Sequence, residues 1–178
     1  MVERQHGVGE PDGLERIWTP HRMAYIRESD GAHECPFCSI PDGPSAEGLV
    51  VARGEHTYGV LNLHPYNPGH LMVLPYRHVA GLDELSKDES DELMALTQAA
   101  VRTIRSVSNP HAFNIGINLG RAAGGSLSEH LHQHVVPRWT GDANFITVTS
   151  GVKTVPQLLG DTRDLLARAW DGPGAVHE

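Results

Sequence analysis

Cysteine is scarce in this chain: 178 residues hold two, Cys35 and Cys38. Long hydrophobic runs are missing as well, since no apolar stretch approaches the roughly 18 residues that a membrane-spanning helix requires. The opening residues, Met1 to Glu10, are polar and do not read as a signal peptide. These absences make a cytoplasmic location the expectation. In that compartment Cys35 and Cys38 read as a metal pair or as free thiols rather than as a disulfide. Positive charge is also in deficit, with 14 Lys and Arg against 22 Asp and Glu and a net charge of −8. A chain so short of cations lacks the broad basic patches that nucleic acid or an anionic membrane would need. An anionic small ligand stays open, because a few local cations and backbone N–H groups suffice for one. No internal repeat is present.

What the chain has in quantity is histidine, 12 residues of it. Three fall in Ser128-Glu129-His130-Leu131-His132-Gln133-His134-Val135-Val136-Pro137-Arg138-Trp139. If this segment is a β-strand, side chains alternate between its faces. His130, His132 and His134 then share one face, with Val135 on the other and Val136 back on theirs. Each imidazole taken out of water needs a hydrogen-bond partner or a metal. The competing reading is chance clustering in a histidine-rich chain.

Apolar residues at 39% and charged residues at 20% fit a folded soluble protein, and the length fits one domain with a sizeable core. After a polar lead-in to Gly13, short helical pieces are expected on either side of Pro20, the second from about His21. Cys35-Pro36-Phe37-Cys38 has the spacing of a knuckle that presents two thiolates to one tetrahedral metal. A structural zinc needs four ligands, and with no second cysteine pair, histidines would have to supply the other two. The alternative is two incidental reduced cysteines. Leu49–Arg53 and Thr57–Asn62 read as strands joined by a hairpin at Gly54-Glu55-His56. His64 to Gly69 is turn chemistry, and His70 to Pro75 is a third strand. Ser86-Lys87-Asp88-Glu89 is a capping box. It opens a helix of about 20 residues, with Leu93, Leu96, Ala100, Val101, Ile104 and Val107 as its core stripe, closed near Asn109-Pro110. Ala112 to Leu119 is a fourth strand. Gly120 to Ser126 is a glycine-rich loop, either an anion cradle or simply a turn. A short strand over Phe145–Thr149 and a last helix over Val155–Trp170 complete the order. The fold expected is α+β: an antiparallel sheet of about five strands with flanking helices. Three segments are expected: an N-terminal extension over 1–48 carrying the knuckle, a catalytic core over 49–150, and a C-terminal helix and tail over 151–178.

His130-Leu131-His132-Gln133-His134-Val135-Val136 resembles the signature of the histidine-triad (HIT) superfamily. Asn62, Pro68-Gly69-His70 and the apolar strand ending in Pro75 also resemble it, as does Asn118 to Ser126. The flanks, Trp18 to Met23 and Gly141 to Ile146, look like those of the actinobacterial diadenosine tetraphosphate phosphorylases within that superfamily. The resemblance implies a nucleotide-binding fold, often a dimer, and a covalent mechanism in which His132 attacks the α-phosphorus. A neutral imidazole suits that role at pH 7. His134 would donate to phosphate oxygens. Ser126, Gly124 and Gly125 would contact phosphate and leaving group, Asn62 the ribose and Asn118 the phosphate side. Trp139 would be a lid or stacking residue, or else an anchor of the core or a dimer. Some members bind zinc through a Cys-x-x-Cys pair, an upstream histidine and the first triad histidine, which here gives Cys35, Cys38, His78 and His130. One structural zinc per chain, and no organic cofactor, is implied. His70 matches a family position near the triad, or is a satisfied structural histidine. Gln133 departs from the usual apolar residue and belongs to the face opposite the histidines.

The resemblance implies cleavage of diadenosine tetraphosphate or another dinucleoside polyphosphate with inorganic phosphate as acceptor, giving ADP and ATP. A hydrolase or phosphoramidase using water, and a nucleotide sensor with little turnover, are the alternatives. Partners implied are adenine nucleotides, phosphate and further copies of the chain, as homodimer or homotetramer, with no nucleic acid and no membrane.

Overall fold

The structure is a computed structural model and describes residues 35–44, 48–124, 127–142 and 157–176. Its centre is a five-stranded sheet. Strands β1 (Val50–Arg53) and β2 (Thr57–Leu61) form the expected hairpin, and β3 (Leu71–Pro75) lies against β2. Strand β5 (Gln133–Arg138) then inserts between β3 and β4 (Ala112–Ile117), giving the order β1-β2-β3-β5-β4 with every pair antiparallel. The described helices are α1 (Pro36–Ser39), α2 (Lys87–Ser108) and α3 (Leu159–Arg168). The α+β expectation holds.

Both faces of β1–β3 are covered, and alternation along the strands decides what covers them. Leu71 and Val73 of β3 join Val51, Leu61 and Val135 against Leu93, Leu96, Ala100 and Ile104 of α2, with Leu166 and Trp170 alongside. Met72 and Leu74 face the other way and pack with Tyr58, Val60 and Phe37 of α1. Each such side chain, fully buried, contributes about 1.5–3 kcal/mol. The cysteine knuckle is thus the lid of a second core. It belongs to the compact unit Glu34–Glu178.

Helix α2 begins as its sequence requires. Ser86 Oγ accepts the Glu89 N–H at 3.2 Å, and Glu89 Oε2 accepts the Ser86 N–H at 2.7 Å. It ends on Asn109, which takes the left-handed conformation (φ 45°), directly before Pro110.

The histidine segment differs from expectation. Strand β5 starts at Gln133, so only His134 of the three lies in it. The register explains why. Val73 pairs with Gln133, and the ladder's next steps would reach Pro75. Proline has no N–H to give, and its carbonyl oxygen is taken by His130 Nε2 at 2.9 Å. Upstream, the chain therefore turns through Ser128–His130 and rejoins through Leu131, whose N–H donates to the Val79 carbonyl at 2.6 Å. Gln133 does face away from His134. Its Nε2 donates to Thr97 Oγ1 of α2 at 2.6 Å, and that hydroxyl donates onward to the Leu93 carbonyl at 2.7 Å. The expected strand at Phe145–Thr149, the start of the last helix at Val155, the helical pieces around Pro20, and the loop residues Gly125 and Ser126 lie outside the described residues.

Candidate active site and metal centre

The knuckle is built by a proline. Pro36 occupies the first position of α1, where its missing N–H costs nothing. The tight turn, with the Cys38 N–H on the Cys35 carbonyl at 3.0 Å, brings both thiols to one side. The exit of β3 delivers His78, and the turn before β5 delivers His130. Cys38 Sγ lies 3.3 Å from His78 Nδ1, and His130 Nδ1 lies 3.5 Å from each of Cys35 Sγ and Cys38 Sγ. The four donor atoms fall within 4.8 Å of one another. A tetrahedral zinc with ordinary Zn–S and Zn–N bonds has S···N edges of about 3.6 Å, so the donor set fits one. The protonation of His130 fits too. The Pro75 carbonyl can only accept, so Nε2 carries the proton and Nδ1 is left as a lone pair aimed at the thiols. Burial lowers the His130 pKa, partly offset by that carbonyl. All four residues expected at the metal therefore come together.

Phe37 joins this centre to the next histidine, its ring centroid 5.6 Å from His130 and 5.2 Å from His132. Its carbonyl accepts the buried Tyr58 hydroxyl at 2.7 Å. Burial, with the nearby thiols, pushes the Tyr58 pKa up, so that hydroxyl stays a donor.

His132 is buried, and its Nδ1 lies 2.8 Å from the His130 carbonyl oxygen. That oxygen only accepts, so Nδ1 carries the proton and Nε2 presents a lone pair. Burial lowers the His132 pKa, with the carbonyl contact opposing, which keeps the ring neutral at pH 7. A neutral, tautomerically fixed imidazole is the form a nucleophile requires. The His134 ring stands 5.0 Å away, nearly perpendicular, and contacts His70 through a 2.9 Å nitrogen–nitrogen hydrogen bond.

An open cleft of about 370 Å³ borders His134. Tyr66, Asn67, Asn114, Asn118 and Arg138 supply its polar edge, and Gly116 its open side. Gly116 is the β4 partner of His134, and a Cβ there would meet nothing within 4 Å. Arg138 is held rather than loose. Its Nε and Nη2 donate to Asp142 at 2.7 and 3.1 Å, and Nη1 donates to Asn114 Oδ1 at 2.8 Å. Asn67 donates to the same Asp142 carboxylate at 2.7 Å and to the Pro137 carbonyl at 2.9 Å. These donors hold the Asp142 carboxyl well below its usual range, Arg138 first.

Of the residues the sequence nominated, His134 and Asn118 line the cleft and His132 abuts His134. Asn62 directly follows β2, with Oδ1 on the His64 N–H at 2.9 Å, and is not among the lining residues. Gly124 takes φ 94° at the end of the short turn Arg121–Ala123, a conformation suited to glycine. Trp139 is tied to the end of α2, its indole N–H donating to the Ser108 carbonyl at 3.3 Å. Asn114, Tyr66, Asn67 and Asp142 escaped the sequence reading. Asn114 shares the parity of Gly116 along β4 and of Asn118 just beyond it; Asp142 is held by Arg138 and Trp139, close by in sequence, and by Asn67 from a distant turn.

The HIT domain family profile matches residues 44–141. A Mycobacterium tuberculosis protein, AP-4-A phosphorylase, is 59% identical over 172 residues, covering 92% of this chain and 88% of its own length. The Saccharomyces cerevisiae Bis(5'-adenosyl)-triphosphatase is 30% identical over 128 residues, 71% of this chain and 54% of the yeast protein. Among solved structures, a zinc-bound histidine triad family protein from Mycobacterium smegmatis superposes with a TM-score of 0.61 at 29% identity, over 78% of this chain and 94% of that one. With the triad, the sheet topology and the profile match in agreement, the chain belongs to the HIT domain family.

Proposed function

We propose that this chain is a phosphorylase of diadenosine tetraphosphate and related dinucleoside polyphosphates. The observation that carries the reading is the fixed tautomer of His132, with Nδ1–H on the His130 carbonyl and a bare Nε2. The 59% identity to AP-4-A phosphorylase supports the substrate class. His132 Nε2 attacks the α-phosphorus, the bond from that phosphorus to the bridging oxygen breaks, and ATP leaves. Inorganic phosphate then attacks the adenylyl group, the P–N bond breaks, and ADP departs with His132 restored. His134 donates to a phosphoryl oxygen, and Asn118 and Arg138 border the phosphate path. Ser126, Gly124 and Gly125 serve phosphate and leaving group, Asn62 the ribose, and Trp139 the nucleotide. Splitting one displacement into two is what the covalent intermediate contributes. Catalysis is assigned to the core, residues 49–150, with 1–48 as an extension that carries the knuckle and 151–178 as a C-terminal cover.

One zinc per chain, held by Cys35, Cys38, His78 and His130, would have a structural role, fixing the knuckle and His130 so that the His130 carbonyl stays on His132. With two thiolates and two imidazoles the set is closed and leaves no position for water. The protein is assigned to the cytoplasm, as a homodimer or homotetramer. Among the described residues no helix is long and apolar enough to cross a membrane.

The deciding experiment is incubation with diadenosine tetraphosphate with and without phosphate, followed by product chromatography. ADP and ATP formed only with phosphate are expected; AMP and ATP regardless of phosphate would refute the phosphorylase. That outcome is the second reading, a hydrolase, which the 30% identity to the yeast triphosphatase favours. His132→Ala should keep its fold and lose turnover by several orders of magnitude. Metal analysis of protein purified without added metal should find about one zinc per chain, removed by the Cys35→Ser/Cys38→Ser pair; metal-free intact protein would refute the zinc site.

A further inference from the structure

His70 enters β3 with no exposed surface, and its bonds form a chain with a direction. The Tyr66 backbone N–H lies 3.1 Å from His70 Nδ1. A backbone N–H can only donate, so Nδ1 must be the lone-pair nitrogen. Burial, with the neighbouring His134 and His132 rings adding to it, pulls the His70 pKa down to about 3, so the ring is neutral and owns one proton. That proton is on Nε2. His70 Nε2 lies 2.9 Å from His134 Nδ1, and a bond there requires His134 Nδ1 to accept. His134, whose pKa burial lowers to about 4, is neutral as well, so its single proton sits on Nε2, the ring nitrogen left for a ligand in the cleft. Running the chain backwards would set the Tyr66 N–H against a second N–H.

The start of the chain is itself held. The His70 N–H closes the turn onto the Asn67 carbonyl at 3.0 Å, and Asn67 is tied to Pro137 and Asp142. The Tyr66 ring lies over His70 and His134, with centroids 4.7 and 5.8 Å away, and confines both.

We propose that His70 is a positioning residue that holds the proton of His134 on Nε2, making the third triad histidine a hydrogen-bond donor beside a nucleophile of the opposite tautomer. His132 carries its proton on Nδ1 because a carbonyl demands it; His134 carries its proton on Nε2 because His70 demands it. Two imidazoles 5.0 Å apart thereby acquire different functions. The inference rests on the phosphorylase reading for what His134 donates to, but not for where its proton lies.

The test compares the wild type with His70→Leu and His70→Gln. A glutamine amide can place an N–H near the position of imidazole Nε2, and leucine cannot. The ring nitrogens are observed by long-range proton–nitrogen correlation, and turnover of diadenosine tetraphosphate with phosphate is followed in parallel. The wild type should show His134 protonated at Nε2 and bare at Nδ1. His70→Leu should show a mixture of tautomers and a kcat lower by about 10–100-fold, the scale of a misplaced donor, with KM changed less than about threefold. His70→Gln should recover the Nε2–H signal and most of kcat. His134 protonated at Nδ1 in the wild type would overturn the proposal. So would full kcat in a folded His70→Leu, or a folded His70→Gln as impaired as leucine. If His70→Leu does not fold, the wild-type and glutamine spectra still decide. A wild type that shows no cleavage refutes the functional reading instead, and the ring shifts continue to judge His70.

Discussion

Glu92 is a half-buried carboxylate whose removal should unfasten the β1–β2 hairpin from α2. Its Oε1 accepts the Glu55 N–H at 2.7 Å, and its Oε2 accepts the His56 and Thr57 N–H groups at 2.6 and 2.7 Å and the Thr57 hydroxyl at 3.1 Å. Burial raises its pKa, but these donors win and the net shift is downward. In Glu92→Ala the exposed Glu55 amide rehydrates almost freely. Thr57 is fully buried, so its N–H and hydroxyl lose their acceptor without gaining water. A buried unsatisfied donor costs about 1–3 kcal/mol, so with partial loss at His56 the sum is about 2–4 kcal/mol. For a chain of this size that lowers Tm by about 5–15 °C. Glu92→Gln keeps one good acceptor oxygen and should lose about half as much. The sign with pH follows from the depressed pKa. The contribution is complete above the carboxylate's ordinary value of 4.5 and is lost as pH falls through the lower, folded value. As pH falls from 4.5 through that lower value, the glutamine variant should therefore approach the wild type. Urea unfolding at pH 7 and through a descending acid series, with amide exchange at Glu55–Thr57, checks this. A Glu92→Ala protein within 0.5 kcal/mol, on the order of a neutral surface change, and with those amides still protected would refute the clamp.

Three further outcomes follow from the same geometry. Gly54→Ala should resemble Glu92→Ala in Tm, because a Cβ there would stand 2.5 Å from Glu92 Oε1; a wild-type melting curve would count against it. Phe37→Ala should cost about 3–5 kcal/mol by urea denaturation and also reduce kcat, since the ring packs on both His130 and His132; lost stability with unchanged kcat would separate Phe37 from the site. Glu89 is held down to about 2, by Arg77 first and then by the Ser86 N–H. Its contribution is present above about pH 4.5 and is lost between there and pH 2, so Glu89→Gln should remove part of the acid slope of unfolding free energy; an unaltered slope would show that Glu89 does not supply it.

Elements governed by local chemistry were legible in the sequence. The capping box at Ser86 and Glu89, the stop at Asn109-Pro110, the hairpin at Gly54 and four strands all appear within a residue or two of where pattern puts them. Contacts across the fold were not. Glu92 reads as one more charge on an amphipathic helix, and nothing nearby in sequence announces that its partners lie 35 to 37 residues away. The start of β5 was misplaced for the same kind of reason. Alternating histidines satisfy the strand pattern, but strand pairing needs a partner, and the partner at that point is Pro75.

The early end of the ladder matters chemically. On a continuous strand, the His130 carbonyl would be spent on the ladder or directed sideways, and His132 Nδ1 would need another acceptor. Because Pro75 ends the ladder, His130 gives its ring to the carbonyl of Pro75 and its own carbonyl to His132. One residue thus orders both centres. Its Nδ1 faces the thiols, its Nε2 is fixed by β3, and its backbone oxygen sets the tautomer of the neighbour proposed as nucleophile. The three histidines are therefore not a row of equal ligands. Each has its proton assigned by a different acceptor or donor, and the break in the strand allows the assignments to differ.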